Sequence, residues 1–513
     1  MSAARPWRSL GVTRALLLAA CVPAPTATPT PPSQPTTPGP TTTPSAPISS
    51  AIPSSGAVPA LATALRAAVD QGAIVADLER LETITLQNGG TRAAGSDGYD
   101  VAATFVADEL RALGYSVTTP EILAPLFAET GPGTLEIDAP RAPIFDGGED
   151  FRAMLLSPSG DVTARVFALG FDPAARPEST NGLGCDAKDW TGVPPAMIVL
   201  VQPGRCLMRT VVEHAQAAGA VALVRSTPGW EPGEVLRPTL LDPAGLTIPA
   251  VGATHQVGLA LDEAADEGQE VHLAISTSVV MRPMVSVIGE TAAGDPGRVV
   301  MLGGHLDSVV DGPGINDNGS GTMAVLEIAR RLAAISSAGG PSPAWRVRVA
   351  FWSAEELGVW GSSRYVAGLP DAERSRIAAY LNLDMLGSIN GVRDVYHLPE
   401  SAGSAAIEGL LVAALEDEGL AWSTIGGGSS DDLPFVQAGI PIGGLFSGHN
   451  SAKTAAQVTA FGGTLGESLD PCYHLACDTL DNVDPVRLAE LARAAAWVTG
   501  YLTSGEVVLQ PPN

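Results

Sequence analysis

Positive charge is scarce in this 513-residue chain: 29 lysines and arginines stand against 55 aspartates and glutamates, for a formal net charge of −26. A surface so short of cations cannot neutralise phosphates, and this excludes nucleic acid as a partner. An acidic exterior suits solubility and draws in amine-bearing peptides. The apolar run near the start, ALLLAAC, is too short to span a bilayer. Cysteine is sparse, five in all, and no two share the CxxC spacing of a zinc ribbon. Histidine is sparse too, with seven.

What the start of the chain does carry reads as an address. Arg5, Arg8 and Arg14 precede ALLLAAC, the charge and apolar order of a signal peptide. Leu18, Ala19 and Ala20 before Cys21 resemble a bacterial lipobox, which implies cleavage and diacylation at Cys21 and a lipid anchor on a membrane face. Ordinary secretion is the rival expectation. Residues 1–21 are therefore read as leader, and residues 22–59, rich in Pro, Thr and Ser, as a disordered tether. Both readings put the protein outside the cytoplasm. With Cys21 assigned to lipid, Cys185, Cys206, Cys472 and Cys477 remain, an even set suited to an oxidising compartment. Three pairings are open.

The chemistry concentrates further along. Arg298 to Gly304 (RVVMLGG) reads as a strand that delivers His305 at its C-terminal end, where open α/β sheets build their sites. A turn-rich loop, DSVVDGPGINDNGSG, carries Asp317 and leads into a helical pattern, MAVLEIARRLAA. A second strand, RVRVAFW, delivers Glu355 and Glu356, and a third, AYLNLD, ends on Asp384. With His474 these give two imidazoles and three carboxylates, His305, Asp317, Glu356, Asp384 and His474, a donor set that fits two zinc ions sharing one carboxylate. Glu355 cannot point the same way as Glu356 and is free to act as a base. Any one of these side chains alone reads as a surface charge or a loop residue; the ensemble reads as a metallohydrolase. Asp307, two residues beyond His305, is expected to accept that imidazole's other N–H. His214, His255, His272 and His397 lie outside this context, and His449 is read as a polar loop residue.

The blocks GGHLDS, GINDNGSG, SAEELGVWGS, NLDMLG, AGIPIGGLFSG and CYHLACDTLDN, in that order, span most of residues 283–500. In them the chain resembles the secreted bacterial di-zinc aminopeptidases of the MH clan, of the streptomycete leucyl type. The resemblance implies that Asp317 bridges two Zn2+ ions, that His305 and Asp384 complete one, and that Glu356 and His474 complete the other. It makes Glu355 the general base, Tyr473 a hydrogen-bond donor to the substrate carbonyl, and Cys472–Cys477 a disulfide, leaving Cys185 to pair with Cys206. One departure stands out: where relatives commonly read Arg-Ser-Asp-His before Pro-Phe, this chain has Ser429, Ser430, Asp431 and Asp432.

The ligand motifs vanish between residues 125 and 281. There GCDAKDW, AMIVLVQPGRC and HAQAAGAVALV resemble the protease-associated (PA) domain, a small β-rich insert. The expected fold is α/β: a mixed, mostly parallel sheet flanked by helices, eight-stranded by the resemblance. It is assembled from residues 60–124 and 282–505 around that insert. Segments 404–418 and 485–501 read as amphipathic helices that cover the sheet. The expected function is extracellular aminopeptidase action on peptides, by a monomer, with an apolar N-terminal residue preferred. The alternatives are a dipeptidase or carboxypeptidase on the same metal core, a glutaminyl cyclase on a related fold, and a non-catalytic peptide-binding lipoprotein.

Overall fold

The computed structural model describes residues 58–505, except 175–182, 203, 205, 228–234 and 236. Cys21, the leader and nearly all of the tether lie outside the described residues.

An eight-stranded sheet organises the larger half. Its order is Ser116–Thr118, Val287–Glu290, Trp345–Trp352, Asp295–His305, Ile377–Leu383, Ile442–Phe446, Asp394–His397 and Ser423–Gly426. The four strands from Trp345–Trp352 to Ile442–Phe446 run parallel, and antiparallel pairings sit toward the edges. The sheet is mixed and mostly parallel, as expected.

Alternation along each strand builds two cores. Val300, Leu302, Val347, Val349 and Phe351 face one set of helices, while Met301, Ala350, Trp352 and Tyr380 face the other side with Phe435 and Val366. Each fully buried Val, Leu or Phe contributes roughly 1.5–3 kcal/mol. A central strand covered on both faces needs an apolar residue at nearly every position, and runs such as RVVML meet that need.

Helix Ala402–Asp417 covers the sheet, as its pattern suggests. Helix Pro485–Leu502 departs from the expectation of an amphipathic cover. It is buried almost all round, since Leu488, Ala492, Ala495, Val498 and Leu502 are enclosed by further helices. Its alanines and Gly500 let neighbours close in: a Cβ at Gly500 would lie 2.6 Å from Ala62 Cα of helix Ala60–Ala68.

The second sheet lies within residues 134–275. Its seven strands run Thr134–Ile137, Glu270–Ile275, Gly160–Ala168, Ile198–Val201, Ala222–Ser226, Ala250–Ala253 and Phe151–Ala153. Helices Met208–Ala217 and His255–Glu267 pack against it, so this unit is rich in strands yet itself α/β. An antiparallel ribbon, Glu121–Glu129 with Thr277–Val285, leads in and out. The cysteines pair as Cys185–Cys206 and Cys472–Cys477. Among the described residues no helix is long and apolar enough to cross a membrane.

Candidate metal centre

The C-terminal ends of the parallel strands share one edge, and the charged side chains gather there. His305 is the last residue of its strand, Glu355 and Glu356 follow Trp352 after a short turn, and Asp384 follows Leu383 directly. Asp317 reaches the same edge from the loop, where the Asp317–Asn318 peptide is cis. His474 arrives on the loop closed by Cys472–Cys477, with its backbone at φ 59.

Asp317 lies between the two imidazoles. Its Oδ1 is 3.3 Å from His305 Nε2 and its Oδ2 is 2.9 Å from His474 Nε2. Asp384 Oδ1 lies 3.4 Å from His305 Nε2, and Glu356 Oε2 lies 3.2 Å from His474 Nε2. Two trios follow, His305–Asp317–Asp384 and Asp317–Glu356–His474, each with ligand atoms within 4.8 Å of one another, and Asp317 belongs to both. Glu356 Oε1 and Asp384 Oδ1 are buried without a hydrogen-bond partner among the described residues. A carboxylate oxygen left so is costly unless a cation meets it. The donor set, imidazole nitrogens and carboxylate oxygens, suits zinc.

The electrostatics agree. Burial pushes His474 down, but Glu356 and Asp317 carry it up to about 10, and Asp384 and Glu355 likewise hold His305 well above its ordinary value against burial. Burial would raise Asp317, yet its hydrogen bonds to both histidines hold it below the usual carboxylate range. Glu355 is driven well above that range by burial, with Glu356, Asp431 and Asp384 adding to the push. The Tyr473 ring stacks on His474 at 3.8 Å. Burial and the four nearby carboxylates of Asp317, Glu356, Glu355 and Asp384 keep its phenol protonated.

The buried surroundings hold these side chains in place. His305 Nδ1 meets the main-chain oxygen of Asp307 at 3.0 Å, while the Asp307 carboxylate lies 3.9 Å away. The contact at position 307 thus runs through the main-chain oxygen, where the side chain was the expected acceptor. The carboxylate instead accepts the backbone N–H groups of Glu355 and Glu356, because the turn after Trp352 leaves those donors facing it.

Several contributors escaped the sequence reading. Asp478 accepts the N–H groups of Asn316 and Asp317 at 2.9 and 3.0 Å. Arg92, fully buried, donates to the carbonyls of Leu306, Pro313 and Gly314 and so ties the loop between His305 and Asp317. Ser430 Oγ donates to Asp384 Oδ2 at 2.7 Å, and Asp431 accepts from Ser362 Oγ at 2.6 Å. His449, read as a loop residue, stands beside the centre with its ring 5.6 Å from that of Tyr473. The text CYHLACDTLDN contained Asp478; Arg92 sits in a stretch that resembles nothing in particular.

The profile of peptidase family M28 matches residues 286–499, and that of the PA domain matches residues 162–261. An aminopeptidase of Pseudomonas aeruginosa is 36% identical over 440 residues, covering 84% of this chain and 80% of its own length. The probable lipoprotein aminopeptidase LpqL of Mycobacterium tuberculosis is 37% identical over 459 residues, 86% of each chain. The chain belongs to peptidase family M28. This M28 peptidase shares its fold with an aminopeptidase from Aneurinibacillus sp. strain AM-1, at a TM-score of 0.68 and 24% identity over 88% of this chain and 98% of that one. It is a metallopeptidase with an α/β catalytic unit and a PA domain.

Proposed function

We propose that this metallopeptidase is a zinc aminopeptidase, cutting single residues from the N-terminus of peptides with two zinc ions at the strand edge. The observation that carries the two-metal reading is the position of Asp317, whose two oxygens face different histidines and which completes both trios. His305 and Asp384 would hold one ion, Glu356 and His474 the other.

When bound, the ions lower the pKa of a water and polarise the scissile carbonyl. Glu355, buried beside the trios, takes the proton from the attacking water and hands it to the leaving amine. Burial supports this shuttle, because it raises Glu355 above the usual carboxylate range and so strengthens it as a proton acceptor. Tyr473 keeps its phenolic proton and donates to the carbonyl oxygen as negative charge develops there.

The ammonium of the substrate is met by carboxylate. Glu355 and Asp431 are buried carboxylates beside the trios, and a cationic terminus offsets their charge. Apolar N-terminal residues are the proposed preference. All five metal-binding side chains come from one chain, in keeping with action as a monomer.

The catalytic unit is proposed to comprise residues 60–124 and 282–505, with residues 125–281 as the insert; the ribbon at 121–129 and 277–285 supports that division. A lipid anchor at Cys21 is proposed from the leader text, and the relative described as a probable lipoprotein aminopeptidase supports it. Incubation of a peptide with both termini free, beside its N-acetylated form, tests the polarity of cutting. Stepwise loss from the free N-terminus and sparing of the acetylated peptide are expected. Loss from the C-terminus would overturn the aminopeptidase reading.

A further inference from the structure

The turn that carries Glu355 is held from two sides by the segments that form the insert and its stem. On one side the ribbon packs beneath it: Ala124 and Met284 share a small core with Ala354 and Trp360, joined by Leu126 and Leu357. On the other side a strap of the insert, residues 239–242, lies against the apex. A Cβ at Gly358 would meet Leu241 Cδ2 at 3.2 Å and Thr239 Oγ1 at 3.4 Å, so the strap lies close over the turn and leaves no room for a side chain there. Asp242 Oδ2 pairs with Arg364 Nη2 at 3.4 Å, and that guanidinium lies over the Trp360 ring at 4.5 Å.

The strap is itself fixed to the insert. Leu240 N–H donates to Leu155 O at 3.0 Å, Arg209 donates to the carbonyls of Asp242 and Ala244, and Arg237 binds Ala153 O at 2.8 Å and Glu129 at 2.9 Å. The turn is tight. The N–H groups of Gly358 and Val359 both donate to Glu355 O, at 2.7 and 2.8 Å. Ala354, Val359 and Leu241 all have left-handed backbones, at φ 56, 62 and 63. Non-glycine residues hold that conformation only where the surroundings enforce it.

The geometry points to a positioning role for the insert: Leu241 and Asp242 press on Gly358 and Arg364 and thereby fix the turn that aims Glu355. This rests on Glu355 as the base. It makes the insert a working part of the catalytic centre. A displacement of about 1 Å at a reacting group can cost on the order of 100-fold in rate, so loosening a contact on this turn acts on turnover rather than on affinity for a small substrate.

The test is steady-state kinetics of the full chain on leucine p-nitroanilide, with zinc content measured for each variant. Leu241→Ala and Asp242→Ala are expected to lower kcat by about 10- to 100-fold, with KM and zinc content unchanged, and Leu241→Met is expected to restore most of the loss. Unchanged kcat in both alanine variants, or a change confined to KM, would overturn the proposal. Should Leu241→Ala lose zinc or fail to fold, Asp242→Ala, at a partly exposed pair, decides by the same criterion. Glu355→Gln separates the two readings. If it retains turnover, the base assignment fails; if it is inactive while both strap variants match the wild type, only the positioning role fails.

Discussion

The carboxylate of Asp307 accepts the backbone N–H of Glu355 at 3.1 Å, although 48 residues separate them in the chain. It also accepts from Glu356 at 3.2 Å, so one buried side chain fixes the backbone of both the proposed base and a proposed metal ligand. Asp307→Ala leaves those two donors buried and unpaired, at a cost of roughly 1–3 kcal/mol each. Turnover should fall and thermal stability with it. His305 should still load with metal, because its ring bonds to the main-chain oxygen at position 307, which the substitution keeps. Elemental analysis beside kcat checks this; loss of metal without loss of stability would count against it.

Removal of the base is the sharper change. Glu355→Gln keeps the volume of the side chain and should lower kcat by about 10²- to 10⁴-fold. KM and zinc content should stay near those of the wild type. Near-normal turnover in the metal-loaded variant would sink the assignment.

Asp478 should act through Asp317. It accepts the N–H groups of Asn316 and Asp317 and also bonds Asn482, which in turn bonds Asp470. Asp478→Ala should weaken metal binding by about 10- to 100-fold, the usual effect of losing a partner that orients a ligand. Competition with a chelator gives the number, and an unchanged affinity would show that Asp317 is held by other means.

One further buried acid, Asp394, gives a pH signature. Burial raises Asp394 from 3.8 to about 6, against the opposing hydrogen bond from Ser423. A carboxyl whose folded pKa is raised lends stability that is fully present below the unfolded value and lost as pH rises through the folded one. Between about pH 4 and 6 the wild type should therefore lose stability relative to Asp394→Asn, reaching on the order of 2–3 kcal/mol above that window. Denaturant unfolding of both proteins at pH 4 and pH 8 checks the sign. A variant less stable at pH 8 than at pH 4, relative to the wild type, would contradict it.

Much of this architecture could be read from the sequence because strands that end in a ligand write both facts in a few residues. RVVMLGGH is a buried strand and its terminal donor in one stretch, and the structure ends that strand at His305. The buried network could not be read so. Arg92, Asp431 and Asp478 serve residues far along the chain, and a long-range hydrogen bond leaves no local period or spacing. Asp307 shows the same limit at atomic scale: its nearness to His305 was visible, but which oxygen faces the imidazole depends on where the Glu355 turn places its N–H groups. Helix Pro485–Leu502 reads as an amphipathic cover because its small residues look neutral in a pattern, whereas in the fold they admit neighbours on every side.

The bridging position of Asp317 is tested most directly by zinc titration of the metal-free full chain, following bound zinc by elemental analysis and activity on leucine p-nitroanilide in the same samples. Two equivalents of zinc per fully active chain are expected, with Asp317→Ala weakening both. Full activity at one equivalent, or an Asp317→Ala variant that keeps two ions bound, would contradict the shared-carboxylate centre.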